Sequence, residues 1–302
     1  METTRTRTMI LTASALTAFA ANSLLCRLAL GHTALDPASF STIRLASGAG
    51  TLMLITLSTR RGAIGMRGSW GSAALLFLYA VPFSFAYVSL GAGTGALILF
   101  GAVQATMLIA ALASGERPHA VQWSGLILAL CGLFYLVMPG LAAPSITGSA
   151  LMAIAGVAWG LYSLRGRGAS DPLAETAGNF ARSVPLAVGV SIAAATHAEL
   201  SADGALLAVL SGALASGLGY VAWYAALSAL SATRAASVQL AVPLLAAAGG
   251  VVFLSERITA RLIVSAILIL GGVALALTRT ERRRRRPLPA GAHPPPERAS
   301  RS

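Results

Sequence analysis

Residues 114–123, SGERPHAVQW, place a carboxylate, a guanidinium and a proline between two long apolar runs. Residues 254–262, LSERITARL, repeat this interruption 140 positions later. Without gaps, residues 116–132 and 256–272 are identical at seven of seventeen positions, including Glu116/Glu256, Arg117/Arg257 and Gly132/Gly272. We interpret the two Glu-Arg pairs as structural boundary markers, where charged side chains stay hydrated at the ends of apolar helices.

The composition is that of a membrane protein. Of 302 residues, 56% are hydrophobic and 11% charged, with a mean hydropathy of +0.75, whereas soluble domains carry about 25% charged residues. Runs of about 20 apolar residues, enough to cross roughly 30 Å of hydrocarbon, recur along the chain. Strands of alternating polarity, typical of a membrane β-barrel, are not evident. The predicted class is an all-α polytopic membrane protein, with no segment left over for a soluble catalytic domain.

Breaks between the apolar runs predict ten transmembrane helices, separated by short connectors such as Asp36-Pro37 and Asp171-Pro172. The predicted spans are Met9–Cys26, Ala38–Ser58, Trp70–Leu90, Thr94–Ala113, Val121–Val137, Gly148–Leu164, Ala174–Thr196, Ala205–Leu227, Thr233–Leu254 and Ala260–Leu277. The domains predicted from them are an N-terminus at 1–8, five-helix repeats at 9–138 and 148–277, and an Arg-rich disordered tail at 279–302.

The offset of 140 residues also carries the first span onto the sixth. Ala18/Ala158, Ser23/Ser163, Leu24/Leu164 and Arg27/Arg167 agree, and Phe19 falls on Trp159. Because five is an odd number, the second half of such a duplication enters the bilayer from the opposite side. Inverted repeats of this kind are the architecture of alternating-access secondary transporters, which hold the substrate near the midplane.

Arginine placement predicts the orientation. The chain has no lysine, and with both termini cytoplasmic most of its arginines fall on the cytoplasmic side, as the positive-inside rule requires. The expected location is the bacterial cytoplasmic (inner) membrane. The first span also imitates a signal peptide, but its counterpart in the second half favours a retained helix. The run Arg282–Arg286 is interpreted as part of a tail near anionic headgroups rather than as a nucleic-acid patch.

The residues resemble the EamA-type transporters of the drug/metabolite transporter superfamily. Ser114-Gly-Glu-Arg117 with Gly125 and Gly132, and Ser255-Glu-Arg257 with Gly271-Gly272, match the family's pattern after helices four and nine. Residues 224–231 with Pro243, and 40–44 with an early Arg in helix two, also fit. The similarity covers about residues 9–277 and departs at Val103-Gln104, where the first repeat often has a proline. It implies ten helices in two inverted repeats and transport of small metabolites, with export favoured.

Polar side chains inside spans are costly and tend to face a cavity or a partner. Arg44 and Arg182 lie about 10 and 12 Å into helices two and seven. Without a nearby intramembrane carboxylate they suggest binding of an amino acid or another carboxylate, although snorkelling or capping of backbone carbonyls is the alternative. Amides can instead bond between helices, and some aromatics belong to the interfacial belt, the safer place for Tyr79. The candidate substrate-binding residues are Asn22, Arg44, Tyr87, Gln104, Trp159, Tyr162, Arg182, Trp223 and Gln239.

Other motifs carry little chemistry. Cys26 and Cys131 are expected to be structural thiols, and the four histidines lack metal-ligand spacing. No cofactor, metal or catalytic residue is predicted, and the protein is not expected to be an enzyme.

The favoured function is secondary transport of a small organic metabolite. A membrane-embedded enzyme and a non-transporting scaffold are the alternatives. The expected partners are the substrate and the lipid bilayer, and a homodimer is left open. Exchange, facilitated movement or coupling through a boundary carboxylate is favoured, because the acids lie at span ends or in loops.

Overall fold

A computed structural model describes residues 2–59, 67–113, 120–138, 143–166, 169–227, 229–230 and 238–278. Within those residues the fold is built of ten long helices without a strand. They are α1 (Glu2–His32), α2 (Pro37–Thr59), α3 (Trp70–Tyr87), α4 (Ala92–Ala113), α5 (Ala120–Val137), α6 (Ile146–Gly166), α7 (Pro172–Ala193), α8 (Ala202–Leu227), α9 (Ala241–Leu254) and α10 (Ala260–Thr278). A short 3₁₀ turn, Ala195–His197, follows α7.

Local sequence explains where several helices begin. Asp36 and Asp171 each stand directly before a helix whose first residue is proline, and each carboxylate accepts backbone N–H bonds from the first turn. Proline fits this position because its missing N–H would have no partner inside the helix. Ser69 and Ser201 cap α3 and α8 in the same way. The connectors before α2, α3, α7 and α8 thus each contain the residue that caps the next helix.

Six of the helices, α1, α2, α3, α4, α6 and α8, are long and apolar enough to cross a membrane. The helices α5, α9 and α10 are also apolar but have shorter apolar segments. Large apolar side chains on their outer faces are exposed, among them Phe134 and Phe253, which suits contact with lipid. The predicted all-helical membrane fold is confirmed at this level.

The helix ends differ from the predicted spans in several places. α1 begins at Glu2 rather than Met9, because nothing in residues 2–8 breaks a helix. α3 ends at Tyr87, three residues before the predicted end, and α9 begins at Ala241. Glu116 and Arg117, and the tail 279–302, lie outside the described residues, as do residues 60–66 and 231–237.

The helices pack in a regular scheme. α5 packs on α10, α2 on α7, and α4 on α9. α6 packs on both α3 and α4, and α1 packs on both α8 and α9. α3 also contacts α7, and α2 contacts α8. When five is added to both helix numbers of a pair, with α10 followed again by α1, the result is always a pair in this scheme. For example, α3–α6 becomes α8–α1, and α2–α7 becomes the same pair.

The described connectors gather at two ends of the bundle. End A contains residues 33–36, 88–91, 194–201 and 255–259, and end B contains residues 67–69 and 169–171. At end A, Asp36 exchanges backbone and side-chain hydrogen bonds with Glu199 at 3.1 and 3.3 Å. At end B, Arg67 Nη1 donates to Ser170 Oγ at 2.9 Å. Connectors that follow odd-numbered helices therefore meet at end A, and those that follow α2 and α6 meet at end B.

Asp36 is held in its charged form. Partial burial alone would raise the pKa of its carboxyl. Hydrogen bonds from Ser39 and from the backbone N–H groups of Glu199 and Ala38 outweigh that effect and lower the pKa below its ordinary value. The charge therefore links the start of α2 to the connector before α8.

Candidate functional site

Arg44 is the most unusual residue of the interior. It lies two turns into α2 and its side chain is only 1% exposed. Its Nη2 donates to Tyr79 Oη at 3.0 Å, and its Nε donates to Ser216 Oγ at 3.3 Å. The guanidinium carbon lies 5.1 Å from the ring centre of Tyr79 and 4.9 Å from that of Phe83. Two hydroxyls and two aromatic faces thus surround the cation.

No carboxylate of the described residues pairs with Arg44; the described ion pair, Arg27 with Glu256, lies at end A. The ten acidic residues of the chain all fall at helix ends, in connectors or in the tail. In addition, Nη1 of Arg44 has no hydrogen-bond partner among the described residues. A buried charge is costly unless it is paired, so the interior carries a positive charge with one donor free.

A further series of hydrogen bonds leads through Asn22 to the hydroxyl of Tyr79. Ser211 Oγ donates to Asn22 Oδ1 at 2.6 Å, and Asn22 Nδ2 donates to Tyr79 Oη at 3.2 Å. All three side chains are buried. Tyr79 Oη therefore accepts one bond from Asn22 and one from Arg44, which joins α1, α2 and α3 at one atom, and α8 is linked to it through Ser211 and Ser216.

The local geometry of α8 makes this network possible. Residues Ser211–Leu218 form a π-helical segment inside α8. In an α-helix, residues five apart point about 140° away from each other, whereas i→i+5 hydrogen bonds bring them closer to one face. Ser211 and Ser216 are five apart, and both reach the same network. π-helical turns often occur at functional sites.

A narrow cavity lies beside this network, in the middle of the bundle. Its lining comes from α1, α3, α4, α6 and α8, and includes Phe19, Asn22, Ser23, Tyr79, Phe83, Leu99, Phe100, Trp159, Ala215, Ser216 and Tyr220. Trp159 lies at the centre, with ring centres 4.9 Å from Tyr79, 5.0 Å from Tyr220 and 6.2 Å from Phe19. The hydroxyl of Tyr220 is buried and has no partner among the described residues.

Polar contacts close the cavity towards end A. Both carboxylate oxygens of Glu256 accept from the backbone N–H of Ala92 at 2.9 Å, and one lies 3.6 Å from Arg27 Nε. Arg27 also donates to the carbonyls of Tyr87 and Val88. Beyond this contact an open vestibule is lined by Arg257 and Thr94, among others. Glu256 therefore joins α1, α4 and the connector before α10.

Towards end B the cavity is bounded by aromatic rings. Tyr162 stacks on Trp159 with ring centres 5.7 Å apart, and its hydroxyl accepts from Asn179 Nδ2 at 3.4 Å. A second, small pocket follows, lined by Tyr162, Arg165, Glu175 and Tyr224. Beyond the central cavity there is thus a polar contact towards end A and an aromatic stack towards end B, each followed by a polar pocket.

Comparisons with known proteins agree with this architecture. A family model described as "EamA-like transporter family" matches residues 146–278. The chain belongs to the EamA-like transporter family. This family is part of the drug/metabolite transporter superfamily, and the protein is accordingly a membrane transporter of that type.

Two further matches cover nearly the whole chain of this EamA-like transporter. It is 53% identical over 273 residues to "Uncharacterized protein PA1977" of Pseudomonas aeruginosa, covering 90% of this chain and 94% of the relative. A solved crystal structure that is 21% identical superposes with a TM-score of 0.62 over 90% of this chain and 97% of its own. The second similarity shows a shared fold.

The structure brings together only part of the candidate set in this EamA-like transporter. Asn22 and Trp159 line the cavity and Arg44 lies against its wall. Trp223 contacts the lining residue Phe19, with ring centres 5.7 Å apart. Tyr162 lies at the end B closure.

The other candidates lie apart from the cavity lining. Tyr87 lies towards end A and donates to the Ala92 carbonyl at 3.3 Å. Gln104 in α4 and Gln239, which precedes α9, are buried outside the lining. Arg182 donates to the carbonyls of Arg67 at 2.7 Å and Gly178 at 3.0 Å, which is the backbone capping considered above as its alternative.

One expectation was wrong, and some site residues escaped prediction. Tyr79 was expected in the interfacial belt, yet it is 6% exposed and bonded to Arg44. The reason is its position on α3 facing α2 and α6, which sequence does not reveal. Phe19 was noted solely as the counterpart of Trp159. Tyr220, Ser211 and Ser216 gave no signal, because apolar and small residues surround them on all faces of α8. Within the described residues, no three His, Cys, Asp or Glu side chains come together as metal ligands.

Proposed function

We propose that this protein is a secondary transporter that moves a small organic anion across the membrane by alternating access to the central cavity. The observation that carries the proposal is Arg44, a buried cation at the wall of that cavity for which the described part of the chain supplies no carboxylate partner. A guanidinium suits carboxylate binding because its donors match two carboxylate oxygens. A bound anion would supply the missing countercharge.

We also propose that the ten helices all span the membrane as two inverted repeats, 9–138 and 148–277. The packing scheme supports this, since shifting each pair by five helices yields another observed pair. One pair matched by the sequence offset meets directly, since Phe19 contacts Trp159. The matched glycines take equivalent places. Gly132 faces Leu268, and Gly272 faces Ala129, in the same α5–α10 interface. An odd number of helices in each half supports opposite orientations.

Closures at both ends of the cavity support alternating access. Such a transporter exposes one central site to each side in turn, and therefore needs a separable contact at each end. The Arg27–Glu256 contact at end A and the Tyr162–Trp159 stack at end B have the right places for these roles. The structure would then correspond to a state in which the site is enclosed.

Arginine placement supports an orientation with both termini and end B in the cytoplasm and end A outside, in the bacterial cytoplasmic membrane. Export is the proposed direction. We propose exchange or facilitated movement, because the acidic residues lie at helix ends or beyond them and none lies in the middle of a described helix.

The test is transport by the purified full-length protein in liposomes, with a panel of labelled organic anions, cations and zwitterions. We expect wild-type protein to move at least one anion, Arg44→Gln to abolish that movement, and Arg182→Gln to retain it. Arg182 is the matched control because it is also an arginine within a helix but bonds to backbone at end B. A wild-type protein that moves no solute, or an Arg44→Gln variant as active as wild type, would refute the proposal.

A further inference from the structure

Three acceptor atoms around the cavity already have donors. Asn22 Oδ1 accepts from Ser211, and Ser216 Oγ accepts from Arg44 Nε. Tyr79 Oη accepts from both Arg44 and Asn22, which occupies both lone pairs of a hydroxyl oxygen. Gln239 has a buried amide oxygen without a partner among the described residues, but it is not part of the cavity lining.

Donors, in contrast, are left over. Nη1 of Arg44 and the hydroxyl of Tyr220 have no partners among the described residues. Tyr79 accepts twice and therefore keeps its own hydrogen to donate. Tyr79 and Tyr220 line the cavity, and the Arg44 guanidinium lies against the ring of Tyr79 and within electrostatic range of Tyr220. The site therefore has unpartnered hydrogen-bond donors, among them a tyrosine hydroxyl that can also accept, beside a buried positive charge.

The buried positive charge and the free donors match an anionic group that accepts hydrogen bonds. An ionised carboxylate is such a group, whereas an ammonium has three donors and no acceptor. An ammonium would be repelled by Arg44, and the described lining offers no carboxylate to offset that repulsion. The aromatic faces could attract a cation, but the guanidinium of Arg44 already lies over the rings of Tyr79 and Phe83.

The rest of the lining is apolar and largely aromatic. Phe19, Phe100 and Trp159 offer no hydrogen bond to a substrate beyond the single indole N–H. Aromatic side chains of this kind pack well against a planar apolar body. A polar or branched body would lose water without finding partners in this region.

We infer that the cavity of the proposed transporter selects an organic monocarboxylate with a flat apolar body, held at Arg44, Tyr79 and Tyr220, and rejects amino acids because they carry an ammonium group. The inference rests on the proposed function and narrows its substrate class. It also assigns Tyr220 as a residue that determines specificity.

Tyr220→Phe is the most direct variant. It removes a buried hydroxyl without a protein partner, so the ligand-free protein should be as stable as wild type or more stable. Tyr135→Phe is the matched control, because it removes the same atom from a partly exposed tyrosine on α5. A weaker affinity in Tyr220→Phe with an undiminished ligand-free thermal midpoint would separate a binding role from a structural one.

Binding is measured on the full-length protein in detergent at neutral pH, by titration with tryptophan fluorescence as the readout. The probes share a benzene ring and differ in charge: benzoate, phenylalanine and benzylamine, with chloride as an inorganic control. We expect benzoate to bind at least tenfold more tightly than the other three. Tyr220→Phe should weaken benzoate binding about tenfold, the loss typical of one hydrogen bond to a charged group, and Tyr135→Phe should not change it.

The outcomes separate the two proposals. Phenylalanine or benzylamine binding as tightly as benzoate, chloride binding as tightly as benzoate, or unchanged benzoate affinity in Tyr220→Phe would each overturn the substrate class. Transport of amino acids in liposomes would overturn the class and leave the transporter standing. Selective benzoate binding by a protein that moves no solute would overturn the transport function and leave the site in place.

Discussion

The substitution Glu256→Gln should raise the fraction of molecules in which end A of the bundle is open. Glu256 fixes the first backbone N–H of α4 through Ala92 and lies beside Arg27 of α1. Glutamine keeps one acceptor for the Ala92 N–H but loses the negative charge. The contact between α1, α4 and the connector before α10 is therefore weakened without removal of volume.

The structure sets the size of the effect. The side chains of Arg27 and Glu256 are 25% and 22% exposed, and a pair so close to solvent contributes up to about 1 kcal/mol. A negative charge at a helix N-terminus adds roughly 0.3–1 kcal/mol. Loss of about 1–2 kcal/mol from the closed state raises the ratio of open to closed molecules by roughly 5- to 30-fold.

Cys26 reports on this opening. It is fully buried next to Arg27, and its thiol lies within electrostatic range of both Arg27 and Arg44. Cys131 is exposed and is replaced by serine in all variants. When closing is faster than labelling, the labelling rate follows the open population. We therefore expect a maleimide to label Cys26 roughly 5- to 30-fold faster in Glu256→Gln.

Glu199→Gln is the control, because it removes an exposed carboxylate from the same end, and its labelling rate should equal that of the parent. Equal rates in Glu256→Gln and Glu199→Gln, with both proteins folded, would refute the role of the Glu256 contact as a closure.

Two further predictions concern stability, both read from the thermal midpoint in detergent. Gly212→Val should destabilise the protein by about 1–3 kcal/mol, because a side chain there would meet Ser47 and the Arg44 backbone across the α2–α8 contact. The control Gly189→Val should destabilise it less, because no atom lies within 4 Å of a side chain added there. Equal losses of stability in the two variants would contradict the close approach of α2 and α8. Because the pKa of Asp36 is lowered in the folded protein, its contribution to stability is complete above the ordinary aspartate pKa of about 3.9 and is lost as the pH falls through the folded value. Wild type should thus lose more stability than Asp36→Asn between pH 5 and pH 3, and parallel curves would contradict this.

The positions of the helices could be predicted from the sequence because the residues that determine them are close together in the chain. Apolar runs and Asp-Pro connectors predicted where α2 and α7 begin to within two residues. The burial of Arg44 was also within reach, since its position two turns into an apolar helix leaves little room for solvent. Arg182 has a similar depth in α7, yet it reaches the Arg67 carbonyl at end B. The difference depends on which helix face meets which neighbour, and that is a tertiary property.

The positions of two serines in α8 could not be predicted from the sequence. On an α-helical wheel, Ser211 and Ser216 lie about 140° apart, so a periodicity argument assigns them to different faces and at most one of them to the cavity. The π-helical segment Ser211–Leu218 brings both to the network around Tyr79. Its position beside the Gly212 contact with α2 gives a physical reason: α8 must approach the Arg44 backbone closely there. The hydrogen bonds that α8 makes to Asn22 and Arg44 therefore depend on a local change of helix type, which propensity and hydrophobic pattern do not encode.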